Sequence, residues 1–371
     1  MGWSSNRPSD YFALGVQTAV GSEAATFRFP KHLTGSGFDL TPDTADEREG
    51  GGGQEVALSY KKMIKADGNL VLNARGVGPV YGLIDAALGL TATTLTIITE
   101  ADTASPACQK VRMVQAATLP YLTIEQRFSD QIERVSNGKV NQLTIDGAAG
   151  LPVKLSAVFT GAGTVYQRDP VASSLTAVYD VTDPLYFPRG SYVLTGAIAN
   201  VASGAKMTKF KVTVMRHLDE AVQTTDLYRD DLIELTTDDN FDFTLKYEDR
   251  QLYQTVQYGG GSVVPLPISS LSFVGYMTNA VASTAANGGT TFRAMKVGMA
   301  NLLTKSAKVN KLEPDGKTVY IDIACTSIKP AGATDSLVID LIVPSAVYAN
   351  YPHHDEFALD FEDIKGHTSR W

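Results

Sequence analysis

Leu122-Thr123-Ile124-Glu125-Gln126-Arg127-Phe128, then Gln142-Leu143-Thr144-Ile145-Asp146 and Val153-Lys154-Leu155-Ser156-Ala157-Val158-Phe159, decide the class of fold. Apolar residues fall at nearly every second position, the period of a strand with one buried face. The same pattern recurs on both sides. Upstream it marks Asn69–Arg75 and Thr94–Thr99; downstream it marks Lys209–Met215, Asn240–Tyr247, Thr318–Ala324 and Ser336–Val343. Turn formers separate the runs: Asp67-Gly68, Asn137-Gly138, Asp146-Gly147, Asn287-Gly288-Gly289 and Pro314-Asp315-Gly316. Asn137-Gly138 and Asp146-Gly147 bracket one short strand, which reads as a β-meander.

Two segments read as helix. Pro79–Leu88 begins with proline and stops at Gly89, the usual polarity of a short helix. Its residues Val80, Leu83, Ile84, Ala87 and Leu88 form one apolar stripe. Residues 291–305 carry Phe292, Met295, Val297, Met299, Leu302 and Leu303, which predicts a helix covering one face of a sheet. The expected fold class is therefore mainly β (α+β), with sandwich domains flanked by short helices. Two long polar segments, Leu33–Glu55 and Val281–Gly289, read as loops. The first contains Gly50-Gly51-Gly52-Gly53 and suits an arm that orders on docking to a neighbour.

The 371 residues suit two domains, and the apolar fraction of 44% is enough for packed cores. A formal net charge of -8 argues against a protein that grips nucleic acid by its phosphates. Cys108 and Cys325 offer neither a disulfide framework nor zinc spacing. The N-terminal residues lack the charged and apolar regions of a signal peptide, and no 18-residue apolar run is present. The expectation is a soluble subunit folded in a cytoplasm.

The chain reads as duplicated. Tyr11-Phe12-Ala13-Leu14-Gly15-Val16 resembles Tyr192-Val193-Leu194-Thr195-Gly196-Ala197, and Val20-Gly21-Ser22 resembles Val201-Ala202-Ser203. Asp67–Gly89 resembles Asp239–Gly261, and His32 matches His217. The expected domains are 1–185, with the Gly-rich loop 33–55, and 186–371, with the helix 291–305 and a C-terminal arm. Two copies of one interface per chain would let three chains build a ring of six quasi-equivalent positions.

Motifs for chemistry are weak. Gly76-Val77-Gly78-Pro79-Val80-Tyr81-Gly82 approaches a dinucleotide fingerprint, but its spacing is off by one and Pro79 occupies the helix start. His353-His354-Asp355 is a poor metal site, because adjacent side chains on an extended segment point apart. The acidic pairs Asp230-Asp231 and Asp238-Asp239 read as solvated loops without calcium-loop spacing. No nucleophile elbow and no phosphate loop occurs. The expectation is no catalytic residue, no metal and no cofactor.

Several stretches together resemble the major tail tube proteins of long, non-contractile-tailed (siphovirus-type) bacteriophages. They are Gly15–Gly21, Phe27-Arg28-Phe29-Pro30, Gly68–Leu72, Leu83–Gly89, Leu119–Glu125 and Gly138–Ile145, then Phe243–Asp249 and Ile342-Val343-Pro344. The resemblance implies tandem β-sandwich domains whose sheets join into a ring-forming β-barrel. It implies rings stacked around a lumen that conducts DNA during ejection, in a virion part assembled in the host bacterial cytoplasm. The implied partners are further copies of the chain, as homotrimers or homohexamers, with the tail terminator, tape measure and baseplate proteins, and DNA in transit. The ring-to-ring contact is expected at Asp39, Asp43, Asp46, Glu47, Glu49, Gly50, Gly51, Gly52 and Gly53. The alternatives are another virion ring, hub or decoration protein, or a β-sandwich binding module. The last is disfavoured because the two tryptophans, Trp3 and Trp371, both lie at chain ends.

Overall fold

The computed structural model describes residues 10–47, 58–75, 78–89, 96–99, 108–128, 131–162, 165–168, 175–177, 179, 183–187, 192–195, 207–222, 229–246, 271–279, 294–309, 320–329 and 335–344. The first half contains β1 (Tyr11–Val16), β2 (Gly37–Glu47), β3 (Leu58–Asn73), α1 (Gly78–Leu88), β4 (Thr96–Thr99), β5 (Cys108–Val114), β6 (Leu122–Phe128), β7 (Gln131–Ala148), β8 (Lys154–Gly161) and β9 (Val165–Arg168). The second contains β10 (Tyr192–Thr195), β11 (Met207–Met215), β12 (Leu218–Val222), β13 (Arg229–Glu234), β14 (Asp238–Lys246), β15 (Leu271–Thr278), β16 (Ala294–Val309), β17 (Tyr320–Ser327) and β18 (Leu337–Pro344). The fold is mainly β and antiparallel. All strands but β12 and β13 join one hydrogen-bonded sheet, whose main path runs β2-β3-β8-β7-β11-β14-β17-β16-β18-β5-β4.

One order of pairing occurs twice. In the first half β1 pairs β6, β6 pairs β7, β7 pairs β8, β8 pairs β3 and β3 pairs β2. In the second half β10, β15, β16, β17, β14 and β11 follow one another in the same way. The irregularities recur as well. Leu122 faces Gly138 and Ile124 faces Val135, with one extra residue in β7; Leu271 faces Leu302 and Phe273 faces Met299, with one extra residue in β16. A second bulge follows where Val140 faces Phe159 and Gln142 faces Val158; its match is Thr304 on Cys325 and Ser306 on Ala324. A third lies between Asp43 and Thr44, where Thr44 faces Lys61; its match separates Met215 from Leu218, which faces Glu234. By this register His217 corresponds to Asp43, not to His32.

The first of these bulges has a residue-level cause. Asn137 and Asn301 both adopt left-handed backbone, at φ 53° and 54°. Asparagine tolerates this region better than other residues with a Cβ. Each carbonyl accepts a bond from the residue just past the C-terminal end of the strand's next partner, from Ala162 N at 3.2 Å after β8 and from Ile328 N at 3.0 Å after β17. At each bulge the long strand changes partners. β7 passes from β6 and β9 to β8 and β11; β16 passes from β15 and β18 to β17. Bulges are the device by which one strand serves two layers.

The core lies on the inner faces of these strands. Phe12, Phe159, Phe210, Phe241, Phe243 and Phe273 are its largest fully buried side chains. Phe241 stacks on Phe273 at 4.3 Å, and Phe210 meets Phe187 edge-on at 4.8 Å. Burying one such ring contributes roughly 2–3 kcal/mol. Helix α1 forms as expected and packs against β7 and β5. Gly89, at φ 90°, ends it, and its N–H donates to Asp85 O at 2.9 Å. A side chain at Gly89 would meet Thr118 O at 2.4 Å.

Three expectations are corrected. Residues 294–305 of the expected helix 291–305 belong to strand β16, Ala294–Val309. Met295, Val297 and Met299 are buried at alternate positions, and the extra residue at Asn301 then places Leu302 three residues on, which mimics helical spacing. Much of the expected loop 33–55 is strand β2, paired with β3; Gly50–Gly53 lie outside the described residues. Asn137-Gly138 is no turn: β7 runs through it and on through Asp146-Gly147. The segment Val281–Gly289 also lies outside the described residues.

Candidate functional site

The sheet face opposite the core carries a polar surface across several neighbouring strands. On β11, Phe210, Val212 and Val214 are buried, so Lys209 and Lys211 project from the other side. The same alternation exposes Lys154 on β8, Asp146 on β7 and Asp242 on β14. Register then sets these residues in one row. Lys154 faces Asp146, Asp146 faces Lys211, and Lys211 faces Asp242. Four neighbouring strands thus present charges that alternate in sign. Opposite charges directly across a sheet contribute about 0.2–1 kcal/mol per pair.

A parallel row runs Lys209, Thr244, Asp322 and Lys308. Thr244 Oγ1 donates to Asp322 Oδ1 at 2.5 Å. Between the two rows the face sinks into a shallow depression of ≈ 410 Å3, lined by Asp146, Lys211, Asp242, Ser306 and Lys308 among others. Partial burial pushes the Asp242 carboxyl above its usual range, and the nearby Lys211 and Lys305 ammonium groups oppose that rise. Every cation on the first row stands against a carboxylate, so neither sign dominates the field over the row.

The buried polar clusters are structural. Tyr11 Oη donates to Glu125 Oε1 at 2.5 Å, and Arg134 binds both Glu125 and Glu23. Burial and the Glu125 carboxylate push the Tyr11 hydroxyl up to about 12, so it remains a neutral donor. Glu125 is wholly buried, and Arg134 supplies the cation it requires. Arg216 does similar work for α1. Its Nε donates to Ala87 O at 3.0 Å, Nη1 to Ala116 O at 3.1 Å, and Nη2 to Leu88 O. It thereby satisfies carbonyls at the helix C-terminus, where a cation is also favoured by the helix dipole. Burial lowers the Arg216 pKa. No group of histidine, cysteine and carboxylate residues suited to a metal occurs among the described residues. Cys325 is buried, and burial pushes its thiol up to about 12, a state without nucleophilic character.

The expected contact residues separate. Asp39, Asp43, Asp46 and Glu47 lie on β2, at one end of the sheet path. Glu49 and Gly50–Gly53 lie outside the described residues, as do His353-His354-Asp355. Gly78-Pro79 opens α1. Asp231 accepts from Tyr121 Oη at 2.6 Å, and Asp239 accepts from Ser336 Oγ at 2.9 Å and Gln115 Nε2 at 2.6 Å. These acidic pairs tie elements together. The alternating row was missed by sequence reasoning, because its members meet only through strand pairing. Their places on four predicted strands were the available signal.

No helix among the described residues is long and apolar enough to cross a membrane. A comparison with curated proteins finds no match. A family model described as phage tail tube protein matches residues 11–317, from the start of β1 to just short of β17. That span takes in most of the sheet and its charge-balanced face. The chain belongs to the phage tail tube protein family, and is a structural component of the virion.

Proposed function

We propose that this chain self-assembles into stacked rings that form the tube of a long, non-contractile, siphovirus-type tail, around a lumen that conducts DNA during ejection. The observation that carries this reading is the row Lys154, Asp146, Lys211 and Asp242. A wall of one basic sign would hold phosphates through counterion release, whereas a wall of paired charges lets a polyanion slide. The chain performs no chemistry on the DNA. Its residues 1–185 and 186–371 are two copies of one β domain, supported by the repeated pairing order and the three repeated bulges. Three chains then close a ring with six quasi-equivalent positions. Asp43, Asp46 and Glu47 of β2, with Glu49 and Gly50–Gly53 that follow in sequence, make the contact to the next ring. Tail terminator, tape measure and baseplate proteins bound the tube, which is assembled in the host bacterial cytoplasm.

Electron microscopy of the purified protein, with averaged end-on views, tests this reading. Hollow tubes with three chains per ring are expected. Isolated globular particles at every concentration would overturn it.

A further inference from the structure

The two halves are joined by a seam within the chain. The C-terminal part of β7 pairs with β11: Gln142 faces Met215, Leu143 faces Val214, Thr144 faces Thr213 and Ile145 faces Val212. The matched bulges identify the counterpart of each strand. Gln142 follows the second bulge as Ser306 does, so Thr144 corresponds to Lys308 on β16. Met215 precedes the third bulge by the same number of residues as Thr41 does, so Thr213 corresponds to Asp39 on β2. The described pairings use only one side of β2, through β3, and only one side of β16 beyond Leu302, through β17.

We propose that β16 of one copy pairs antiparallel with β2 of a second copy in the register of the β7–β11 seam, with Lys308 opposite Asp39. This rests on the self-assembly reading and specifies its seam. Transferring the register sets Thr41 against Ser306, Leu40 against Ala307, Asp39 against Lys308 and Phe38 against Val309.

Three observations converge on this partner. The charges are complementary: Asp39 and Lys308 are both exposed, and the seam places them directly opposite. Thr144 and Thr213, which hold the same places inside the chain, are buried at 8% and 9% exposure. The apolar side is unfinished at the outer edge. Leu143 and Ile145 are fully covered at the internal seam, whereas their counterparts Ala307 and Val309 are only partly buried against the core. A second copy of β2 would complete that cover as β11 does for β7. The polarity is also consistent around a ring. β2 and β16 lie at opposite ends of an eight-strand path, so the contact is head to tail and repeats until it closes. An exposed edge strand is an aggregation hazard, and a charged residue on it admits only the partner that neutralises it. The neutral Thr144–Thr213 pair and the charged Asp39–Lys308 pair thus keep the inner and outer seams from exchanging.

The test uses the full chain. Asp39→Cys with Lys308→Cys, oxidised mildly, is expected to give a ladder of disulfide-linked chains on non-reducing gels. Each single variant serves as control for Cys108 and Cys325. Asp39→Cys with Ser306→Cys, out of register, is expected to cross-link poorly. Within one chain the two sites lie seven strand spacings apart along the sheet, roughly 34 Å, so the link must join two chains. In parallel, Asp39→Lys or Lys308→Asp is expected to lower the assembled fraction about tenfold, and the double exchange to restore it to within about twofold. Both positions are exposed, so each variant should fold as a monomer; Lys308→Asp also sets a carboxylate opposite Asp322 and should melt slightly below wild type, so the assembled fractions are compared at temperatures well below every monomer's melting temperature.

Tubes that form without the cross-link, or a double exchange that fails to rescue, would overturn the seam and leave the tube reading intact. A cross-linked ladder without tubes under any condition would keep the seam and overturn the tube reading. Wild-type protein that stays monomeric and does not cross-link would overturn both.

Discussion

Asp85 sits in the middle of α1 at 6% exposure, and burial pushes its carboxyl up to about 7. The unfolded chain holds that proton only up to the ordinary aspartate range, near 3.9. The folded state therefore binds the extra proton between those values. Stability falls as pH rises through this window, by at most about 1.4 kcal/mol per pH unit, and levels off above the folded pKa. Asp85→Asn should remove the slope. Urea unfolding at pH 5 and pH 8 is expected to show a variant much more stable than wild type at pH 8 and close to it at pH 5. Equal gains at both pH values would contradict a buried carboxylic acid. At this scale the sequence is a fair guide to type and a poor guide to role. Asn137-Gly138 was visible as a site of left-handed backbone, but turns and bulges draw on the same conformation. Only the pairing with Leu122 and Val165 on either side of it distinguishes them. Asp242 falls on the predicted strand Asn240–Tyr247, yet its partner across the face, Lys211, belongs to a different strand and is found only through pairing.

At the scale of the element, Arg216 is the residue on which α1 depends. It reaches from the end of β11 to the carbonyls of Ala87 and Leu88, and its own N–H donates to Asn141 O at 2.8 Å. Arg216→Ala would remove this donor from the buried Ala87 carbonyl and leave Leu88 O with the Ala116 N–H alone, at a cost of about 1–3 kcal/mol. Chemical denaturation should show that loss. Arg216→Lys should recover little of it, because an ammonium cannot span three carbonyls as a planar fork does. The elements themselves were legible where pairing follows a plain period of two. Leu122–Phe128 has the same bounds in the sequence reading and in β6, and α1 ends at Gly89 as its glycine requires. They were illegible where a bulge shifts the phase, as between Met299 and Leu302 on β16. They were also illegible where an edge strand carries charge and proline in place of apolar residues, as Asp39, Pro42, Asp43 and Asp46 do on β2. Such residues signal a loop to any periodicity argument, and edge strands bear them because an edge must resist indiscriminate pairing.

At the scale of the whole molecule, the halves are interdependent. The β7–β11 seam, the β5–β18 pairing with Arg112 bound through Nε and Nη2 to Asp340, and the Arg216 cap all cross between them. The β12–β13 hairpin also leans on the first half, where Lys139 Nζ lies 3.0 Å from Glu234. Residues 1–185 expressed alone would expose the edge of β7 and leave α1 without its cation. The fragment should accumulate as aggregates or as oligomers paired through β7, while the full chain stays dispersed at the same concentration. Size-exclusion chromatography of the two in parallel checks this, and a stable, monomeric 1–185 fragment would show that the halves need each other less than these contacts require.

The seam between the halves also sets a clock for synthesis. The edge of β7 around Ile145 is made before its partner Val212. At about 5–20 residues per second that interval lasts roughly 3–13 s. Throughout it, β2 of the same chain has already been made, and the proposed seam gives it a register suited to the same edge. Asp39 would then face Thr144 with no cation opposite it, so the premature docking lacks the ion pair that the later, correct one gains. On the proposed seam, pairing of β7 with the β2 of another copy is therefore disfavoured while β11 has yet to be made.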